Sequence, residues 1–387
     1  MFDTINTLHT ITVYRPWGID IPNYFWFTGS SAAAFILSSF AHVFGKKEYK
    51  PIAGFALLLA FVLLAAAPMN LIDDLKQPGR LFNFFLYGWE NFTTSPMKWG
   101  VLLLLVYPIL ILFEALILYR EFFAKNYEQS GKFIYKLACL GRTQLNDTQK
   151  NKDHKIGFIL GVVGIPLALC VHGYTGYILG VVHSIPLWHT PLMPILFLAS
   201  AMVSGTGLMI VILPIFQRFF TDFKQVDKDM ISRLMWLLSW FIVIDLAIRF
   251  FWLTFAMPFN DGEKYIITEF FSLHFNEVLW IEYVLCLVFP MVVGFLPKLR
   301  TNLLVCIIAG VICAAGVWLF RWNTVIGGES MPKTSGSFLE YTPHISGQDS
   351  IIAVASNWGL FICLLCIVMA IFPWDKEMNR YYKKDNK

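Results

Sequence analysis

Nine runs of about 20 apolar residues, each bounded by charges, proline or glycine, fill most of this chain, and no soluble core could bury them all. An α-helix rises 1.5 Å per residue, so about 20 residues cross the roughly 30 Å of a bilayer's hydrocarbon. The runs cover residues 23–45, 52–72, 97–119, 156–182, 192–215, 234–257, 278–296, 303–320 and 351–372. Within hydrocarbon the backbone must satisfy its own hydrogen bonds, which leaves helices as the structure for runs of this length. The expected fold is therefore an all-α integral membrane protein with about nine transmembrane helices, between eight and ten. Composition agrees: 57% of residues are hydrophobic and 14% charged, where a soluble domain carries about 25% charged residues. The chain divides into an N-terminal segment (1–22), a helical bundle (23–373) and a basic tail (374–387). The opening residues lack a positive stretch and a cleavage site, so no removable signal peptide is expected.

The few charges orient the spans. Of the 30 Lys and Arg, 22 fall in one alternating set of connecting segments, including the C-terminal tail, and 6 in the other. Basic loops stay in the cytoplasm. The expected orientation places the C-terminus in the cytoplasm and the N-terminus in the periplasm of a bacterial or archaeal inner membrane. A net charge of +4 is too small to imply nucleic acid. The outer connections are aromatic and rich in Gly and Pro, as in LFNFFLYGWENFTTSP and HSIPLWHT. Such segments read as an aromatic belt, as half-immersed stretches, or as a docking surface for another protein.

Ionisable groups inside a membrane cost several kcal/mol unless paired or hydrated, which makes them functional candidates. Asp20 and Tyr24 share a face at the outer start of the first span, and Asp73 and Asp74 end the second on that side. His172, Tyr174 and His183 fall in the outer half of the fourth. Asp245 and Arg249, one turn apart in the sixth span, suit a buried ion pair. Glu277 and Glu282 lie near the outer end of the seventh, and Arg321 closes the eighth. Glu114 and His42 are the inner exceptions. The seven cysteines lie mostly in apolar runs, make no metal-binding pattern and read as small core residues, the pair Cys363 and Cys366 included. A bis-histidine haem needs two histidines at matching depth, and only His172 is well inside a span. No haem, iron–sulfur cluster or other metal is expected in this chain.

Several stretches resemble one family. DDLKQPGRLFNF, TTSPMKWG and HGYTGYILGVVHSIPLWHTPLMPILFLASAMVSGTG are similar to the membrane subunit of polysulfide reductase and its relatives, the NrfD/PsrC-like family. PWGIDIPNYFWFTGSSAAAF, LWIEYVLCLVFP and RWNTVIGG resemble its longer branch, the membrane subunits of periplasmic hydrogenase and of the sulfite-reductase-linked transmembrane complex. The resemblance implies a membrane anchor that exchanges electrons between menaquinone, or another quinone, and a periplasmic ferredoxin-like iron–sulfur subunit. A further catalytic subunit of molybdopterin, multihaem or hydrogenase type would carry the terminal reaction. The family's tyrosine at the quinone site corresponds to Tyr174 and its first-span position to Tyr24. A histidine and an asparagine of the best-known example are absent here, which turns attention to Tyr24, Asp20 and His172.

Chemistry supports the same place. Quinol oxidation releases two electrons and two protons, so its site needs hydrogen-bonding groups for two oxygens and a proton acceptor. Tyr174 and His172 meet the first need, and Asp20, Asp73 or Asp74 the second. Asp245, Arg249, Glu282 and Glu114 then suit a proton path towards the inner face. Two other readings use the same residues differently: a secondary transporter built on the buried Asp, Arg and Glu, and a purely structural anchor. A transporter would place its site at the midplane between internal repeats, whereas here the polar residues crowd the outer leaflet.

Overall fold

The computed structural model describes residues 17–75, 77–221, 225–255, 261–331, 338–376 and 378. Among these residues, the nine apolar runs all form helices: α1 Asp20–His42, α2 Lys50–Asp74, α3 Pro96–Leu118, α4 Asp147–Gly180, α5 Met193–Phe220, α6 Lys228–Phe255, α7 Glu277–Phe295, α8 Leu303–Ser330 and α9 Ile351–Ile371. No strand forms among the described residues beyond one isolated bridge between His344 and Ser350.

Eight helices, α2 to α9, are long and apolar enough to cross a membrane. The other expected span, α1, has the length, since its 23 residues cover about 35 Å, but it is more polar. Its surroundings explain how. Nearly all of α1 is buried, enclosed by α2, α4, α5 and α8. Its hydroxyls are satisfied inside the protein: Ser31 donates to the Ala60 carbonyl at 2.7 Å, Thr28 to the Tyr24 carbonyl at 3.0 Å, and Ser30 meets Ser204 of α5 at 2.9 Å.

Small residues let these helices close up, as expected where lipid offers no hydrophobic drive between spans. A side chain at Gly205 of α5 would collide with Ala33 and the Ser30 backbone of α1. Gly207 of α5 lies against Gly310 of α8, so that a β-carbon on either would come within about 3 Å of the other's carbonyl oxygen. Gly205→Leu is therefore expected to force α1 and α5 apart and to cost about 1–3 kcal/mol. A lowered melting temperature of the purified chain in detergent would register it; an unchanged one would show that the seam tolerates bulk.

Two helices differ from the sequence expectation. The first 12 residues of α7, Glu277–Val288, wind as a π-helix, a wider coil that in proteins marks functional positions. Here it carries Glu282 and Tyr283. The eighth span extends to Ser330, well past the expected stop at residue 320, so Arg321 sits inside α8 rather than closing it. A guanidinium looks like a boundary in sequence, but the interior provides for this one. At the other boundary, α4 starts at Asp147, nine residues before its apolar run, and projects beyond the hydrocarbon. It ends at Gly180, leaving His183 outside, with its ring 4.1 Å from that of His189. Of the cysteines, Cys139, Cys286, Cys306 and Cys313 are buried as expected; Cys170, Cys363 and Cys366 instead face outward from the bundle.

The bundle has two chemically different ends. At the end where α1 begins lie Asp20, Asp73, Asp74, Glu329 and Asp349, with exposed aromatic residues such as Phe82, Tyr87 and Trp89. Lys98 is drawn into this end, donating to the Tyr87 carbonyl and lying 4.2 Å above the Trp89 ring. The opposite end is basic. There Arg120 binds Asp153 at 2.6 Å, and Glu121 lies within 3.2 Å of Lys125 and 3.4 Å of Lys150. Partial burial would raise the Glu121 carboxyl, but the ammonium groups of Lys125, Lys376 and Lys150 prevail and hold it below its ordinary value.

Candidate functional site

The polar residues named from sequence separate into two clusters and one line. The first cluster lies at the acidic end. Asp20 opens α1 fully buried, its carboxyl within hydrogen-bonding reach of the Asp349 carboxyl. Asp349, Asp73 and Asp74 are near enough to repel it. One turn along α1, Tyr24 is buried and has Tyr174 of α4 as its ionisable neighbour. Tyr174 is half-buried, its ring lying over Gly100 of α3, where any side chain would displace it.

Beside these groups runs an amide network absent from the sequence reading. Asn23 donates to Asn70 at 2.6 Å, Asn357 donates to Asn70 at 3.1 Å and to Asp73 at 2.7 Å, and Trp358 donates to Asn23 at 3.0 Å. It ties α1, α2 and α9 together below Asp20 and orients Asp73. The connections brace the same end: Trp17 stacks on Trp188 at 5.5 Å, Trp188 donates to the Thr324 carbonyl of α8 at 2.5 Å, and the Tyr341 hydroxyl accepts from the Ile19 amide at 3.0 Å.

The second cluster lies inside the bundle between α6, α7 and α8. Arg249 binds Asp245 at 2.7 Å, as their spacing predicts, and also Glu282, which the π-turns of α7 bring to it. Asn323 of α8 donates to the other Glu282 oxygen at 2.7 Å. The Arg249 guanidinium lies 3.8 Å from the Phe320 ring centre. Arg321, next along α8, lies 3.7 Å from the ring centre of Phe197, and donates to the Phe197 carbonyl at 2.9 Å and to Ser200 at 2.8 Å. Two carboxylates and two guanidiniums thus share one dry interior with no net charge, Asp245 feeling both cations. One polar atom of each of Asp245 and Arg249 and two of Arg321 have no partner among the described residues.

His172 belongs to this second cluster rather than to the first. Its Nε2 faces the Phe197 carbonyl at 2.8 Å. A carbonyl only accepts, so Nε2 carries the proton, and the Arg321 nitrogen 3.3 Å away is a second donor without a lone pair to meet. Nδ1 lies 3.4 Å from the Thr175 hydroxyl. The ring therefore links α4, α5 and α8. Among the described residues no three His, Cys, Asp or Glu side chains converge as metal ligands.

The line runs along α3. Glu114 is buried with one oxygen unpartnered among the described residues, and so is the Tyr107 hydroxyl two turns before it. Gly100, beneath Tyr174, lies two turns earlier again. Spaced by seven, the three positions share a face at intervals of about 10 Å. Tyr107 was not singled out from sequence, since a lone tyrosine in an apolar run reads as packing; its spacing of seven from Glu114 is the available signal.

Known proteins resemble this chain in sequence. A profile described as "Polysulphide reductase, NrfD" matches residues 6–332. The chain is 31% identical to a selenate reductase component of Mesobacillus selenatarsenatis over 97% of its length and 91% of that protein's. It is 27% identical to a tetrathionate reductase component of Salmonella typhimurium, covering 92% and 91% of the two chains. It is 24% identical to the Hdr-like menaquinol oxidoreductase integral membrane subunit of Archaeoglobus fulgidus, covering 92% and 85%. The resemblance carried by TTSPMKWG and HGYTGYILG thus extends through nearly the whole chain: this multi-pass membrane protein belongs to the NrfD polysulfide reductase family.

Proposed function

We propose that the chain is the quinone-reactive membrane subunit of a respiratory oxidoreductase complex, with its reactive site at the acidic end, between Tyr24, Tyr174 and Asp20. The observation that carries this is the gathering, at one end of the bundle, of two neighbouring phenols from α1 and α4 and a buried carboxyl crowded by three other acids. Relatives whose names include a menaquinol oxidoreductase and two reductases support the class of substrate. Quinol bound there would give up two protons and two electrons. Tyr24 and Tyr174 are suited to hydrogen-bond its oxygens, Asp20 to take a proton, and Asp73 and Asp74 to pass protons to water.

The electrons need an acceptor outside this chain. A ferredoxin-like iron–sulfur subunit docked on the aromatic, acidic end fits that need, with the terminal reaction in a further subunit. The basic end then faces the cytoplasm and the acidic end the periplasm, by the charge bias of the connections. His172 serves in this reading as a brace, since both of its nitrogens face protein groups. The charged interior cluster and the Tyr107–Glu114 line are two routes by which protons could cross from the basic end.

Tyr174→Phe tests the site directly. Losing one hydroxyl that bonds substrate is expected to lower quinol oxidation by the purified complex about tenfold, the equivalent of one hydrogen bond of roughly 1.4 kcal/mol. Because the Tyr174 ring over Gly100 is retained, folding should be unchanged. Wild-type turnover and quinone affinity would remove Tyr174 from the site.

A further inference from the structure

The basic end carries a segment that neither the spans nor the proposed quinone site uses. Residues 132–142, KFIYKLACLGR, follow the helix Arg120–Ser130 and form a short helix, Phe133–Ala138. Its two faces differ. Tyr135, Ala138 and Cys139 turn inward: the Tyr135 ring stacks on Phe123 at 6.5 Å, and the Cys139 thiol approaches the Arg120 carbonyl at 3.9 Å. Phe133, Ile134 and Leu137 share the other face, 73%, 65% and 64% exposed, and Leu140 extends it. Lys132, Lys136 and Arg142, all exposed, flank this apolar stripe.

Two contacts fix the depth of the segment. Arg120, against which Cys139 rests, lies two residues beyond the end of α3 at Leu118. Phe123, on which Tyr135 stacks, also meets Phe372 at 5.3 Å, the residue that follows α9. The chain has therefore left the membrane and come back to the level at which two spans end. An apolar stripe edged by cations at that level suits the boundary between headgroups and acyl chains. Water would leave three large side chains exposed there, and a basic protein surface would be repelled by the flanking cations.

We propose that residues 132–142 form an interfacial anchor, with Phe133, Ile134 and Leu137 set among the acyl chains of one leaflet and Lys132, Lys136 and Arg142 on the phosphates of anionic lipid. Near an anionic surface each basic residue contributes about 1 kcal/mol, or roughly fivefold. The segment is then a lipid-sensing support beneath Arg120, Asp153 and α3, and its occupancy depends on the composition of that leaflet.

The test uses the full chain in nanodiscs of phosphatidylcholine alone or with anionic phosphatidylglycerol, read by amide hydrogen exchange across 132–142. Exchange is expected to slow at least about fivefold on adding the anionic lipid, with no such change in the exposed segment 82–92 at the other end. Replacing Lys132, Lys136 and Arg142 by Gln should abolish the lipid dependence while leaving the helical content and melting temperature in detergent intact. Equal exchange in both bilayers would overturn the proposal. So would a photo-crosslinker at Phe133, in the complete complex in native membranes, that captures a polypeptide instead of lipid.

Discussion

Arg249→Met should lower the stability of the purified chain by about 3–5 kcal/mol, because it strands two carboxylates in a dry interior. In the wild type the Arg249 guanidinium binds Asp245 at 2.7 Å and also binds Glu282, and all three side chains are almost fully buried. Removing the cation leaves Arg321 as a more distant partner for Asp245, and Arg321 is itself committed to Phe197 and Ser200. Thermal melting in detergent measures the loss. The same loss should be largely recovered when Asp245→Asn and Glu282→Gln are added, since the stranded charges are then gone. That second variant also separates structure from transport: folded but without titratable groups at this position, it should move fewer protons per electron in proteoliposomes if the cluster conducts them. If Arg249→Met melts as the wild type does, the ion cluster is not what holds α6 to α7.

Asp20→Asn should produce the opposite pattern, a large loss of turnover with little loss of fold. General-base catalysis is worth about 10²–10⁴-fold, and quinol oxidation by the complex is expected to fall by about 100-fold or more. The side chain is nearly isosteric, and an amide can keep the hydrogen bond to the neighbouring Asp349 carboxyl, so the fold contact is retained. With Asp349, Asp73 and Asp74 nearby, removing one negative charge should if anything steady this end of the bundle. Steady-state quinol oxidation alongside a melting curve decides the matter. Turnover near the wild-type rate would remove Asp20 as the proton acceptor, whatever the fate of Tyr174.

The spans are legible in the sequence because the bilayer imposes them. Hydrocarbon thickness sets the length of each run, and the backbone's need for internal hydrogen bonds sets its conformation. Among the described residues, all nine runs form helices. The Asp245–Arg249 pair was legible for a similar reason, since spacing by four puts two side chains on one helical face. The end of the eighth span is not legible at Arg321, because a lone charge marks a boundary only where the interior holds no partner for it. Its partners, the Phe197 ring and carbonyl and the Ser200 hydroxyl, come from a helix more than 100 residues away in sequence.

The sequence by itself determined the solvent, the number of apolar runs and the charge asymmetry of their ends, all local properties of composition and period. Only the tertiary structure decided which polar groups meet. Tyr174 lies over α3, with Tyr24 as a neighbour, because Gly100 leaves room for its ring; His172, two residues away, turns to Arg321 because successive helical positions point about 100° apart. Glu282 reaches Arg249 through π-turns that no residue pattern announced. The polar helix α1 lies at the centre of the bundle because its hydroxyls find carbonyls there and its small residues meet those of α5, a packing outcome that hydropathy counted along one chain cannot express.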